Sequence, residues 1–250
     1  MQYHIPEKQW KEIYKELQKN KSLHIKNEEE TRLFIEAIWL MMRSGMQWRL
    51  LPESYGYWNS VYKRFANWSQ KGVFEDLFES CKKDADTDYV MIDATIVRAH
   101  ACASGYKKDS QTREALGRSV GGFTTKINAL VDALGYPLKF ILSPGQEHDV
   151  KAAPQLIEGI YDTNLIADKG YDSDDLIEIA HTQNCSVTIP SRRSRITARD
   201  YDFFVYKERH LIECFFGKLK HFRRLFSRFD KSARNFMSFL YFASFLIWLR

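Results

Sequence analysis

Tyr89-Val90-Met91-Ile92-Asp93-Ala94-Thr95-Ile96-Val97 is where the chain changes character. The stretch is rich in β-branched and apolar residues and reads as a strand. Its one carboxylate, Asp93, stands where strand interiors disfavour Asp, and a buried carboxylate needs a partner. Upstream the pattern is helical. Downstream, strands and helices alternate. The strand therefore separates a helical domain, residues 1–86, from a sheet-containing domain, residues 87–250.

In the helical part, Pro6 can open a first helix with Trp10, Ile13, Tyr14 and Leu17 at helical spacing. Asn27 suits the N-cap of a second helix running to Ser44. Glu28, Glu29 and Glu30 complement its positive end, and Gly45 is a natural stop. Third and fourth helices fit residues 57–69 and 73–83, separated by Gly72. Such a unit has the form of helix-turn-helix DNA readers, and equally of plain helical bundles.

Beyond Asp93, residues 104–122 are polar and contain Gly105, Gly117, Gly121 and Gly122, which predicts a long loop. Residues 124–132 and 138–142 read as second and third strands, turned by Gly135-Tyr136-Pro137. A helix (149–160), a strand (164–167), a helix (173–183) and a strand (186–190) follow. A basic loop at 191–199 leads to a long helix over 206–228, and an apolar helix comes last. Three successive strands and then alternation indicate a mixed sheet with helices on its faces, an α/β fold.

Charge is unevenly spread. Residues 81–190 carry 11 basic against 16 acidic groups, whereas residues 191–250 carry 14 against 5. A basic end beside an acidic middle suits a polyanionic partner held near carboxylates, although a solvated basic surface would look the same. Cys81, Cys102, Cys185 and Cys214 form no C-x-x-C pair and read as reduced, partly buried thiols of a cytosolic protein. The apolar run 236–249 is shorter than the roughly 20 residues that span a bilayer, so a core helix is expected and no membrane partner.

Two further carboxylates stand out. Asp168 ends the short strand Leu165-Ile166-Ala167 and precedes Lys169-Gly170-Tyr171, where Gly170 permits a sharp turn. Glu213 lies in the long helix. Converging carboxylates cannot all stay ionised in a low-dielectric site without a cation, and their oxygens suit one or two Mg²⁺ ions. Tyr206, Arg209, Glu213, Gly217, Lys220 and Arg224 follow steps of three and four, which puts them on one helical face. Leu211, Phe215, Leu219, Phe222 and Phe226 fall elsewhere and can bury against the sheet. Gly217 costs about 1 kcal/mol relative to Ala in mid-helix, as expected if a backbone or ligand approaches there. The plain alternative is a solvated face with charge pairs.

Tyr206-x2-Arg209-x3-Glu213-x6-Lys220 resembles without a gap the signature of DDE transposases from bacterial insertion sequences. Asp168-x-Gly170-Tyr171 is similar to their second-Asp motif, and Asp93 in an apolar strand to the first. Gly45-Met46-Gln47-Trp48-Arg49, Leu51-Pro52, Tyr55-Gly56, Trp58 and Trp68 resemble the N-terminal helical domain of insertion sequence family five. Arg118 with Gly121-Gly122-Phe123-Thr124-Thr125-Lys126 resembles that family's second-strand region.

The resemblance implies an RNase H-like mixed five-stranded sheet flanked by helices, preceded by the helix-turn-helix-like domain. It implies an enzyme that cuts the terminal inverted repeats of its element and joins the freed 3′-OH to target DNA. Asp93, Asp168 and Glu213 would bind two Mg²⁺ ions, with Mn²⁺ as a substitute. Tyr206, Arg209 and Lys220 would touch DNA near the scissile phosphate, and Lys126 is grouped with them. A homodimer or larger assembly is expected on double-stranded DNA, in the cytoplasm at the nucleoid. A nuclease of the same fold without strand transfer, or a silent DNA-binding protein, are the alternatives.

Further DNA contacts are expected from Arg192, Arg193, Arg195 and Arg199 in the basic loop. Lys63 and Arg64, with Asn59, Asn67 and Gln70, make the third helix the candidate for end recognition. Trp58, Val61, Tyr62, Phe65 and Trp68 on that helix read as core. His148 and Asp149 follow Gly145 and could approach the active site, but Asp149 reads more as a turn or N-cap residue and His148 as no ligand; Asp172, Asp174 and Asp175 read as first-turn helix acids.

Overall fold

The strand around Asp93 forms as β1, Tyr89–Ala99, in a computed structural model that describes residues 4–23, 25, 27–103, 114–119 and 122–250. Further strands are β2 (Gly117–Ser119), β3 (Gly122–Val131), β4 (Pro137–Pro144), β5 (Asn164–Ile166), β6 (Ser186–Thr188) and the two-residue β7 (Ser227–Arg228). β1, β3 and β4 form an antiparallel meander. β5 then pairs parallel with β1, and β6 parallel with β5. The principal strands therefore run β4-β3-β1-β5-β6, the RNase H-like mixed order. Short β2 continues the outer side of β3, because Thr124 pairs with Arg98 on one side and Gly117 on the other.

The hairpin between β3 and β4 has a local cause. Asp132 is fully buried, and its Oδ1 accepts the N–H groups of Leu134 (3.0 Å) and Tyr136 (2.7 Å). Gly135 supplies the left-handed position at φ 79°. A side chain at Gly135 would also meet Leu211 at 3.1 Å, so the turn lies close against the start of the helix that carries Glu213.

The helical segments before the sheet are α1 (Glu7–Lys19), α2 (Glu28–Ser44), α3 (Trp58–Gln70) and α4 (Val73–Cys81). The Asn27 side chain caps α2 by accepting from the Glu30 N–H, and Gly45 ends it at φ 67°. Trp10, Ile13 and Leu17 of α1 are buried, as their spacing requires.

In the sheet-containing part the helices are shorter than their patterns suggested. Residues 149–160 do not form one helix. Asp149–Lys151 makes a single 3₁₀ turn, and α5 spans only Ala153–Ile157. Pro154 can begin a helix but not sit inside one, and Gly159 adopts φ 83° just beyond it. α6 is Asp174–Thr182. The long helix over 206–228 is also interrupted. Asp202 caps a helical turn at Phe203–Tyr206, a 3₁₀ turn covers Lys207–Arg209, and α7 runs His210–Lys220. Phe222 is extended, and Arg223–Phe226 forms a separate short turn. Phe226 is consequently 61% exposed instead of buried. The expected loop at 104–122 ends early, because Gly117–Ser119 and Gly122 are in strands; its residues 104–113, 120 and 121 lie outside the described residues.

The last helix, α8 (Ala233–Trp248), is buried on nearly all sides. Phe239 stacks on Phe65 at 4.4 Å, Phe242 meets Phe74 at 5.8 Å, and Tyr241 stacks on Phe78 at 5.2 Å. The chain thus forms two compact units: one holds the residues up to Lys83 with Leu219–Arg250 and the segment from His100, the other Asp84–Ala99 with the chain to Lys218. The C-terminal helix was expected in the sheet domain. It instead supplies the apolar cover that Phe65, Phe74 and Phe78 need.

Among the described residues no helix is long and apolar enough to cross a membrane. No disulfide forms among the four cysteines. Cys185 is buried, but Cys102 and Cys214 are exposed, against the expectation of partly buried thiols.

Candidate active site

The register between β1 and β5 brings the first two carboxylates together. Met91 pairs with Ile166 across the parallel strands, so two residues further on Asp93 lies beside Asp168. Asp168 leaves the strand into a 3₁₀ turn at Lys169–Tyr171, and its Oδ1 accepts the Gly170 N–H at 2.7 Å. A Cβ on Gly170 would lie 2.8 Å from that oxygen. The chain does turn sharply at Gly170, within the 3₁₀ turn, and the glycine also lets the Asp168 carboxylate approach closely.

Glu213 joins the pair through a cation. Arg209 Nη1 lies 3.3 Å from Asp93 Oδ2, and its Nη2 ion-pairs with Glu213 Oε1. Asp93 Oδ1 also accepts its neighbour's N–H, from Ala94 at 2.8 Å. Burial pushes the Asp93 carboxyl up from 3.8 to about 6. The Ala94 N–H and Arg209 favour the ionised form but are outweighed, and the Asp168 and Asp149 carboxylates push further upward.

Tyr171 is a member that sequence reasoning missed. Its side chain is buried, and its hydroxyl has no partner among the described residues. Burial drives its phenol upward, and the charges of Asp93, Asp149 and Asp168 act in the same direction. The only signal was its place next to Gly170 in the second-Asp motif. Asp149 opens the 3₁₀ turn Asp149–Lys151, as the turn reading expects, and its carboxylate also pairs with Lys126 Nζ, which donates to the Glu147 carbonyl at 2.6 Å. Lys126, expected at DNA, is 7% exposed and already neutralised.

The other expected contacts divide into free and engaged groups. Lys63, Arg193 and Lys220 are exposed with no ion pair among the described residues, Lys220 at the very end of α7. Asn67 and Gln70 are exposed on α3, while Val61, Phe65 and Trp68 are its buried face. Arg64 turns inward, with its guanidinium 4.3 Å from the Phe34 ring centre and 5.1 Å from that of Trp68. Burial accordingly lowers its pKa. Tyr206 is half-buried beneath the Arg209 guanidinium at 6.0 Å and meets Tyr201 edge-on. Arg192 donates to the Lys169 and Gly170 carbonyls. Arg224, expected on the polar stripe, is buried and grips Asp230 through Nε (2.9 Å) and Nη2 (3.0 Å). The helix break at Phe222 takes it off the face. Among the described residues nothing beyond its own helix lies within 4 Å of where a Cβ on Gly217 would stand, so none of them explains that glycine.

Among the described residues no group of three His, Cys, Asp or Glu side chains stands close enough to hold one ion. The Arg209 guanidinium nevertheless shows that the space between Asp93 and Glu213 takes a positive charge. Carboxylate oxygens are the donors a hard divalent cation prefers, so the residues suit Mg²⁺ in chemistry.

Residues 84–246 match the family described as "Transposase DDE domain", and residues 5–78 the one described as "Putative transposase of IS4/5 family". A Brucella ovis protein named "Putative transposase for insertion sequence element IS6501" is 41% identical over 129 residues, 51% of this chain and 99% of that protein. An uncharacterised Sinorhizobium fredii protein, y4sN, is 42% identical over 31% of this chain and 62% of its own length. Among solved structures, a piggyBac transposase synaptic complex with hairpin DNA aligns at 13% identity and a TM-score of 0.40, covering 74% of this chain and 48% of that one. A Mos1 transposase paired-end complex aligns at 14% identity and a TM-score of 0.28, covering 76% and 79%.

Proposed function

The chain belongs to the DDE transposases of insertion sequences, and from that premise we propose that it binds the terminal inverted repeats of its element, cuts DNA strands there and joins the freed 3′-OH to target DNA. The observation that carries the proposal is the juxtaposition of Asp93 and Asp168 by strand register, with Glu213 drawn to Asp93 through Arg209. Two Mg²⁺ ions, or Mn²⁺ in their place, would be held by Asp93, Asp168 and Glu213 and would stabilise the attacking and leaving oxygens at phosphorus.

The protein's own groups prepare that chemistry. Asp93 must be ionised to bind a cation, and a cation favours the ionised form that burial opposes. A DNA phosphate offers the Arg209 guanidinium a bidentate partner of the same kind as the carboxylates it now bridges. On DNA, Arg209 turns from the carboxylates to phosphate, next to Tyr206. Lys220, Arg193 and Lys63 are free for the same role. Joining two element ends to one target requires at least two copies of the chain in the DNA complex, and such chemistry belongs in the cytoplasm at the nucleoid.

The test is incubation of the protein with a labelled inverted-repeat end, Mg²⁺ and a target plasmid, with cleavage and joining read separately. Both products are expected from the wild type. Glu213→Gln should lose cleavage by at least a hundredfold and keep end binding. Cleavage without joining would reduce the protein to a nuclease, and undiminished cleavage by the variant would remove Glu213 from the site.

A further inference from the structure

The basic loop at residues 191–199 is bonded to the turn that carries Asp168. Its centre is Asp172, a carboxylate with 3% exposure. Asp172 Oδ2 accepts the Arg192 N–H at 2.8 Å and Arg195 Nε at 2.8 Å, and its Oδ1 accepts Arg199 Nε at 3.2 Å. Arg195 and Arg199 continue to Asp174. The Arg192 guanidinium closes the arrangement by donating to the carbonyls of Lys169, at 3.1 Å, and Gly170. The Lys169 carbonyl also receives the Asp172 N–H at 3.3 Å.

These bonds fall on the residues that orient Asp168. The Gly170 N–H holds Asp168 Oδ1, and the Tyr171 N–H holds the Asp168 carbonyl at 3.0 Å. A peptide fixed at its carbonyl by Arg192 cannot rotate its neighbouring N–H away from the carboxylate. Metal ligands need placement to within about 0.5 Å, which such a supporting set of bonds provides. A buried carboxylate with three charge-assisted donors is also costly to break, because a lost partner leaves charge unpaired.

We infer that Asp172 is a positioning residue for Asp168, acting through the Lys169–Tyr171 turn, and that Arg192, Arg195 and Arg199 serve this turn and not DNA phosphate. The inference rests on Asp168 being a metal ligand. Arg193, exposed and unbonded in the same loop, is left as the group for DNA.

The test measures Mn²⁺ binding by the full chain without DNA, by electron paramagnetic resonance, together with DNA-end affinity across a salt series. Asp168→Asn is the reference and should weaken Mn²⁺ at least tenfold. Asp172→Asn should weaken Mn²⁺ at least fivefold with DNA affinity and its salt dependence unchanged. Arg193→Ala should do the reverse, keeping Mn²⁺ affinity and lowering the salt slope by about one phosphate contact. If Asp172→Asn does not fold, Arg192→Gln replaces it. That variant removes only the bonds to the two carbonyls, and the same fivefold loss is expected. Wild-type Mn²⁺ affinity in the folded Asp172 or Arg192 variant, with Asp168→Asn weakened, overturns the inference alone. Unchanged affinity in Asp168→Asn overturns the assignment of Asp168 and the inference with it.

Discussion

Asp93 couples the site to pH. Its carboxyl titrates near 6 in the folded chain against 3.8 for an ordinary Asp, so between those values the folded state holds a proton that the unfolded state has released. Stability from this group is complete below about pH 4 and is lost as pH rises through about 6, a change on the order of 3 kcal/mol. Denaturant unfolding without divalent metal should show this decline, and Asp93→Asn should lack it. Parallel pH profiles for the two proteins would contradict the assignment. Divalent binding, which needs the ionised form, should instead weaken as pH falls through 6. Gly170 makes a second residue-scale prediction. Its hydrogen lies where a Cβ would be 2.8 Å from Asp168 Oδ1. Gly170→Ala should therefore reduce Mn²⁺ affinity severalfold with little change in melting temperature, read by binding and thermal unfolding on the same samples.

At the scale of the element, α7 and the turn before it decide what the signature residues do. Lys207–Arg209 is 3₁₀, and in that geometry residues three apart eclipse one another, which sets Arg209 over the Tyr206 ring. Helical spacing placed Tyr206, Arg209 and Glu213 on one face, and that much was legible. The end of the stripe was not, because apolar residues at Phe222 and Phe226 continue the pattern past the point where the backbone leaves the helix. Among the described residues, nothing beyond α7 itself crowds the place a Cβ on Gly217 would take. Gly217→Ala should stabilise the protein by about 0.5–1 kcal/mol in chemical denaturation. If DNA comes close to the helix at this position, the same variant should bind an inverted-repeat end more weakly. A variant that is both more stable and equally tight on DNA would show that the glycine serves neither role.

At the scale of the molecule, the helical unit depends on the far end of the chain. Phe65, Phe74 and Phe78 of α3 and α4 are covered by Phe239, Phe242 and Tyr241 of α8. Residues 1–83 alone would leave this aromatic surface in water, so that fragment should show no cooperative unfolding transition by circular dichroism. A cooperative transition in the fragment would mean that α8 is dispensable. The proposed end recognition by Lys63 and the exposed polar groups of α3 is best tested on the full chain for the same reason.

Elements with local causes could be read from the chain alone. Asn27 and Gly45 bound α2, Asp132 and Gly135 turn β3 into β4, and β-branched residues make β1. The motifs around Asp93, Asp168 and Glu213 carried the family, because a carboxylate in an apolar strand and a glycine two residues after an Asp are written in the chain itself. Which charges are free follows from packing. Arg64 stacks on rings, Lys126 meets Asp149, and Arg192, Arg195 and Arg199 gather around Asp172. A cation's partner is set by groups brought close in space from distant positions, so composition and spacing could count these charges but not assign them.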